Sequence, residues 1–336
     1  DYFQPEVFTR LKGLASFHPL QLAVGYRTIA KSNSFRVEDM ANQYKLNPNT
    51  VRGTMVGLEQ KGFIEYNSKT DIITLTRKAV LYSYANMRRM DYDNINIYSL
   101  NPTGRNATFS LDSLDLTLTG IDGFLISDSL KVLVQPADKS IVVKKNRDFK
   151  FDGKMTAGKF VYKGENFQFG YDSFFVNMPY IEELAFVVKD SSSGADEELP
   201  NSMVGTGGTL YIAERNNKSG LKPHDKYPLF KATSGGSFYF GGDEILGGAY
   251  KGDTSIYFDV PPFAIDSLNS SDPSSINFAG TFNSGGIFPT FKENIKIMPD
   301  KSFGFDRNTP EEGYPIYQNK LKEKATYFNK ISLNNK

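Results

Sequence analysis

The feature that most constrains this chain is a change of hydrophobic period. Up to about residue 100, apolar residues recur every three or four positions; from about Thr103 they alternate with polar ones. The first spacing lines one face of a helix and the second lines one face of a strand, so the two regions need differently built cores. The expected fold class is therefore α+β, with a helical module over 1–100 and an antiparallel β-rich domain over 101–336. A stacked-sheet or solenoid-like, elongated β assembly is expected, with an optional further division near 190–206, where the run Asp190-Ser-Ser-Ser-Gly-Ala-Asp-Glu-Glu-Leu-Pro200 reads as a long loop.

Within the first region the spacing predicts a helix over Leu20–Ala30, with Leu20, Ala23, Val24 and Ile29 on one stripe. A second helix opens at Ser34 and places Val37, Met40, Ala41 and Tyr44 on one face. Asn47-Pro48-Asn49-Thr50 is a turn with a ready N-cap, and a third helix runs to about Gln60 with Val51, Met55 and Leu58 inward. Gly62 suits a left-handed helix end. Phe63–Tyr66 and Ile72–Leu75 form a hairpin around Asn67–Thr70, and Thr76 caps a last helix to about Arg89.

Helix, helix, turn, helix, hairpin, helix over residues 20–90 resembles a winged helix-turn-helix, carried by Phe35-Arg-Val-Glu-Asp-Met-Ala and Asn49-Thr-Val-Arg-Gly-Thr-Met-Val-Gly-Leu-Glu-Gln-Lys-Gly-Phe-Ile. The resemblance implies that the third helix could enter a DNA major groove, with Asn49, Thr50, Arg52, Lys61 and the wing's Lys69 as the contacting side chains. Against that stand two glycines, Gly53 and Gly57, on the reading helix, few cations, and 39 Lys+Arg balanced by 38 Asp+Glu over the chain. A protein built to neutralise phosphates generally shows a basic excess. Nucleic acid is not the expected partner.

From Thr103 onward the runs Ala107–Leu118, Phe124–Val134, Ser140–Phe149, Lys159–Phe169, Phe174–Met178, Ala185–Lys189, Gly208–Ala213 and others to Tyr327–Leu333 read as strands. The 29 Gly, 27 Phe and 19 Tyr fit many tight turns between aromatic-rich strands. Phe151–Phe160 and Phe278–Phe288 echo each other, with Ala232–Phe238 as a weaker third copy. Three Asp-Ser-Leu tripeptides look like the O-glycosylation sequon that Bacteroidota use on exported proteins; they make Ser113, Ser129 and Ser267 candidate modification sites on a polar–apolar beat of strands. The texture of the region resembles the very large β-rich envelope proteins of that phylum. The chain starts at Asp1 and stops within an alternating run, so it reads as part of a longer protein.

No cysteine and only two histidines, His18 and His224, remove disulfides, thiolate sites and three-histidine metal centres. His18 is expected at a domain seam and His224 in a solvated turn. The glycine-dense Gly235–Gly248 lacks a P-loop lysine, and neither Asp243-Glu244 nor Asp196-Glu-Glu198 sits in an EF-hand-type loop. No catalytic, cofactor or metal residue is expected. The function expected is a non-enzymatic structural or protein-interaction segment of a cell-envelope protein, periplasmic or outer-membrane associated, whose partners are proteins or other segments of its own chain. A DNA-binding regulator with a β-rich sensor is the alternative, and a carbohydrate-active enzyme the third.

Overall fold

A computed structural model describes residues 2–14, 16–189, 194–241, 248, 256–270, 276–319 and 325–334. The chain divides into two compact units, residues 1–94 with 216–222, and residues 95–215 with 223–336.

The first unit holds α1 (Pro5–Thr9), α2 (Pro19–Ala30), β1 (Ser34–Arg36), α3 (Val37–Gln43), α4 (Pro48–Gln60), β2 (Ile64–Asn67), β3 (Ile72–Leu75) and α5 (Arg77–Asn86). Its three strands form one antiparallel sheet in the order β1-β3-β2. The caps follow from the sequence. The Asn47 side chain accepts from the N–H groups of Asn49 and Thr50, Thr76 accepts from that of Ala79, and Gly62 sits at φ +71 after α4. Leu20, Ala23, Val24, Val37, Met40, Ala41, Val51, Met55, Leu58 and Ala79 are buried together.

Two local expectations are corrected here. The residues Ser34–Arg36 extend into a strand against β3 before α3 begins. Ile29 is half exposed and Leu22 takes a core place instead, because the stripe drifts around α2 by its last turn. His18 caps α2, with Nδ1 accepting from Gln21 N, Nε2 donating to Phe8 O at 2.9 Å, and its ring stacked on Phe8 at 3.8 Å.

One piece of the first unit comes from far along the chain. Both carboxylate oxygens of Asp91 receive hydrogen bonds from residues 218–219: Lys218 N at 2.9 Å, Ser219 N at 3.0 Å and Ser219 Oγ at 2.6 Å. Asn217, buried, closes this loop through Lys222 N and O, both at 2.9 Å. Nothing in the local sequence names Asp91 as the partner of this loop.

The second unit is β-rich and antiparallel throughout. It begins with β4 (Ala107–Phe109), β5 (Leu116–Thr119), β6 (Phe124–Ser127), β7 (Val132–Pro136) and β8 (Ser140–Val143). The longest strands follow: β9 (Phe149–Ala157), β10 (Phe160–Gly170), β11 (Phe175–Lys189), the short β12 (Asp196–Glu198) and β13 (Met203–Tyr211). Then come β14 (Leu229–Ser234), β15 (Gly236–Tyr239), β16 (Ile256–Val260), β17 (Ala264–Ile265), β18 (Asn277–Ser284), β19 (Phe291–Ile297), β20 (Phe303–Asn308), β21 (Tyr314–Pro315), β22 (Thr326–Tyr327) and β23 (Lys330–Leu333). The ladders run from β4 through β5 and β8 to β9, then β10, β11 and β13. From β13 they continue through β15, β16, β18, β19 and β20 to β23.

Several expected strands differ in detail, each for a local reason. Ala107–Leu118 and Phe124–Val134 are hairpins, not single strands, turned at Ser110–Asp115 and Asp128–Lys131, with Leu114 and Lys131 at positive φ. Phe174–Met178 and Ala185–Lys189 belong to one strand, β11, which passes through Pro179. Its ladder with β13 shifts between Met178 and Ile181, the kind of irregularity that lets a proline, lacking an N–H, sit within a sheet. β11 pairs with β13 on the far side of residues 190–202, so the chain on both sides of that segment belongs to the same unit. Tyr327–Leu333 splits into β22 and β23, and β23 is paired along one edge with β20. Among the echoed segments, Phe151–Phe160 is a hairpin with a two-residue turn, Ala157 facing Phe160. Phe278–Phe288 enters a longer loop, and Ala232–Phe238 is a kinked stretch of β14 and β15 along β13.

Phenylalanine fills the core of this unit. The Phe186 ring lies 4.9–6.0 Å from those of Phe160, Phe238, Phe278 and Phe303, and all five are buried. No helix among the described residues is long and apolar enough to cross a membrane.

Candidate functional site

The sequence places its candidate nucleic-acid contacts on α4 and the β2–β3 turn. Arg52 is the only cation that α4 itself carries, and it is committed within the unit. Its Nε and Nη2 donate to the two oxygens of Asp71 at 2.9 and 2.8 Å, and its Nη1 donates to Asn49 Oδ1 at 2.9 Å. The fork geometry of guanidinium on carboxylate makes this a strong, oriented pair.

Asp71 is the hub. It sits at φ +57 in the β2–β3 turn, accepts a third hydrogen bond from Tyr66 Oη at 3.0 Å, and offers its carbonyl to Val37 N at 2.9 Å. Helix α4, the hairpin turn and the start of α3 are thus tied at one residue. The Arg52 hydrogen bonds hold the Asp71 carboxyl below its ordinary range, opposed by burial and helped by Tyr66, while Asp71 raises Arg52 in turn. Burial first, and then the bond to Asp71, push the Tyr66 phenol up.

A second arrangement lies on the outward side of α4, which the chain's own N-terminal segment covers in part. The Thr54 hydroxyl lies 3.2 Å from Gly13 O and 3.0 Å from Thr50 O. Gly13 is at φ +131, and a Cβ there would fall 2.8 Å from Thr54 Oγ1, so this approach needs glycine. Leu11 and Leu14, on either side of Gly13, are buried in the same core as Met55 and Leu58. What remains of the face is a cleft of about 390 Å³ floored by Gly53, Thr54 and Gly57, with Arg10, Lys12 and Lys61 on its rim.

Lys61 and Lys69 are exposed at the end of α4 and in the β2–β3 turn. Thr50 and Asn49 are exposed but already serve the helix: both backbone N–H groups bind Asn47, and the Asn49 amide oxygen accepts from Arg52. The predicted contacts therefore share a region, but its one central cation and its central hydroxyl already have partners in the chain.

The Asp-Ser-Leu serines lie in turns and not in strands, which corrects the expected strand setting. Ser113 and Ser129 are exposed in the β4–β5 and β6–β7 turns. Ser267 is half-buried at φ +52 after β17, with its hydroxyl donating to Asp225 O at 3.1 Å. Of the acidic stretches, Glu197 and Glu198 in β12 are paired with Lys301 and Lys163 at 2.5 and 3.2 Å, whereas Asp243 and Glu244 lie outside the described residues. Among the described residues no three His, Asp or Glu side chains are grouped as metal ligands would be. His224 is half-buried in the turn before β14, less solvated than expected.

No protein family, curated protein or solved structure matches the chain.

Proposed function

We propose that the chain is a non-enzymatic structural or protein-interaction segment of a larger cell-envelope protein, and that residues 20–90 are a winged-helix module serving contacts within its own protein and not the reading of DNA. The element order α2, β1, α3, α4, β2, β3, α5 and the sheet order β1-β3-β2 support the winged-helix reading. The observation that carries the functional part is the state of α4. A helix that reads bases needs its outward polar side chains free to meet base edges and phosphates. Here Arg52 is forked onto Asp71, and the Gly13–Thr54 contact lays the N-terminal segment against the same helix.

The exposed positions of Ser113 and Ser129 are compatible with modification after export, and the half-buried Ser267 is a poorer acceptor. The DNA-binding regulator keeps one observation in its favour, the rim of Arg10, Lys12 and Lys61 around the α4 cleft. Fractionation of cells carrying the full-length gene product separates the two. Recovery with the envelope supports the proposal, and recovery with the nucleoid in a salt-sensitive form overturns it.

A further inference from the structure

We propose that the solvent face of the β9–β10–β11–β13 sheet is a binding cleft for a neutral oligosaccharide. The inference rests on the second unit alone and is independent of the envelope role proposed above.

The cleft has a volume of about 450 Å³. Its floor is a single transverse row, because Lys150 faces Gln168, Gln168 faces Asn177, and Asn177 faces Thr209 across successive ladders. Directly opposed residues on neighbouring strands point to the same face. At the usual strand separation these four side chains span about 14 Å, room for a short oligosaccharide and more than one sugar ring needs. The neighbouring row, Phe149, Phe169, Val176 and Leu210, points the other way and is buried in the core. The floor is therefore backed by packed phenylalanines, which fix its strands.

Along one side stands an aromatic wall. Phe175 and Tyr211 face each other in the β11–β13 ladder, both half-buried, with ring centroids 5.8 Å apart. Lys231, on the next strand, places its ammonium 5.4 Å from the Tyr211 ring and holds it from the other side. Gly170, the partner of Phe175 in β10, makes room for the Ser173 hydroxyl on the same side of the cleft, since a Cβ there would lie 2.5 Å from Ser173 Oγ.

The hydrogen-bonding capacity of the cleft is unspent on its floor. Among the described residues, the side chains of Gln168, Asn177 and Thr209 have no hydrogen-bond partner. The charged rim is different: Lys144 pairs with Asp115 at 2.5 Å, and Asp148 accepts from Tyr171 N at 2.7 Å and Asn146 Nδ2 at 2.6 Å. What faces a ligand is thus two amides, a hydroxyl and two rings. A primary amide presents a donor and an acceptor side by side, which suits neighbouring sugar hydroxyls. A ring offers an apolar plane to the C–H face of a pyranose, with its polar edge still solvated. Among the described residues a phosphate or other strong anion would find Lys150, which already interacts with Asp115, and Lys231 beside the Tyr211 ring, too few for tight binding.

The test is calorimetric titration of the full chain with cellohexaose, chitohexaose, mannohexaose and maltohexaose, each tried with Tyr211→Ala and Asn177→Ala. At least one hexasaccharide is expected to bind with Kd of about 1 mM or tighter, and each variant to weaken it about tenfold, the scale of one lost contact. Gln168→Ala is the third variant, kept because its side chain supports nothing else; retained far-UV circular dichroism shows that the sheet is intact. No binding by any of the four sugars, or binding that all three folded variants leave unchanged, overturns the proposal.

Discussion

The two units differ in what their outward polar groups are doing. In the helical unit, the helix that motif reasoning singles out has its guanidinium held by Asp71, its hydroxyl at Thr54 against Gly13, and its amide at Asn49 under Arg52. In the β-rich unit, a row of two amides and a hydroxyl crosses three strands with no partner in the described structure, beside two half-buried rings. A resemblance of element order points toward the first unit. The geometry of free hydrogen-bonding groups points toward the second. A motif reports how a chain folds, while a ligand responds to groups that the fold has left unsatisfied.

The comparison is broken most forcefully at Gly13. Replacing it by alanine strains a φ of +131 and drives a methyl into Thr54, so the first unit should lose about 2 kcal/mol of stability, read from urea unfolding. If Gly13→Ala costs nothing, the N-terminal segment does not rest on α4 as described. A smaller effect is expected at the clamp. Arg52→Ala should lower the urea midpoint by less than Gly13→Ala does, because the guanidinium is about a third exposed and solvent screens part of the pair.

The same pair has a pH signature with a definite sign. The Asp71 carboxyl is depressed in the folded chain, chiefly by the Arg52 hydrogen bonds, so its contribution is fully present above the unfolded carboxylate value of about 3.9 and fades as pH falls through the lower folded value. Acid titrations of the wild type and Arg52→Ala should therefore converge below about pH 4, and parallel curves throughout would count against the clamp. The smallest effect sharpens the contrast from the β side. Tyr162 is fully buried beside Phe230, its hydroxyl has no hydrogen-bond partner among the described residues, and burial pushes its phenol well up. Tyr162→Phe removes an unsatisfied polar atom, and the unfolding midpoint should rise by the equivalent of about 0.5 kcal/mol. A loss of stability would reveal a partner for that hydroxyl.

Much of the first unit was legible in the sequence because its signals are local. Asn47, Gly62 and Thr76 act within a turn of themselves, and Val51, Met55 and Leu58 declare a face by spacing alone. The clamp was not legible, since an exposed arginine and an aspartate 19 positions apart carry no mark of meeting. In the β-rich unit, the alternation showed which residues would be strands but not how they register. Ala107–Leu118 alternates without a break, yet it folds back at Ser110–Asp115, and β11 runs through a proline that reads as a stop. The cleft row depends on that register, with Gln168, Asn177 and Thr209 meeting only because two ladders align them.

In the function proposed above, α4 is engaged by its own chain and is not presented to DNA. The measurement that tests it most directly is fluorescence anisotropy of a mixed-sequence DNA duplex titrated with the full chain over a series of salt concentrations. The expected result is no affinity beyond the non-specific range of about 10⁻⁴–10⁻⁶ M at physiological salt, and no weakening with Arg52→Ala. Binding well below that range, with a steep salt dependence that Arg52→Ala abolishes, would contradict it.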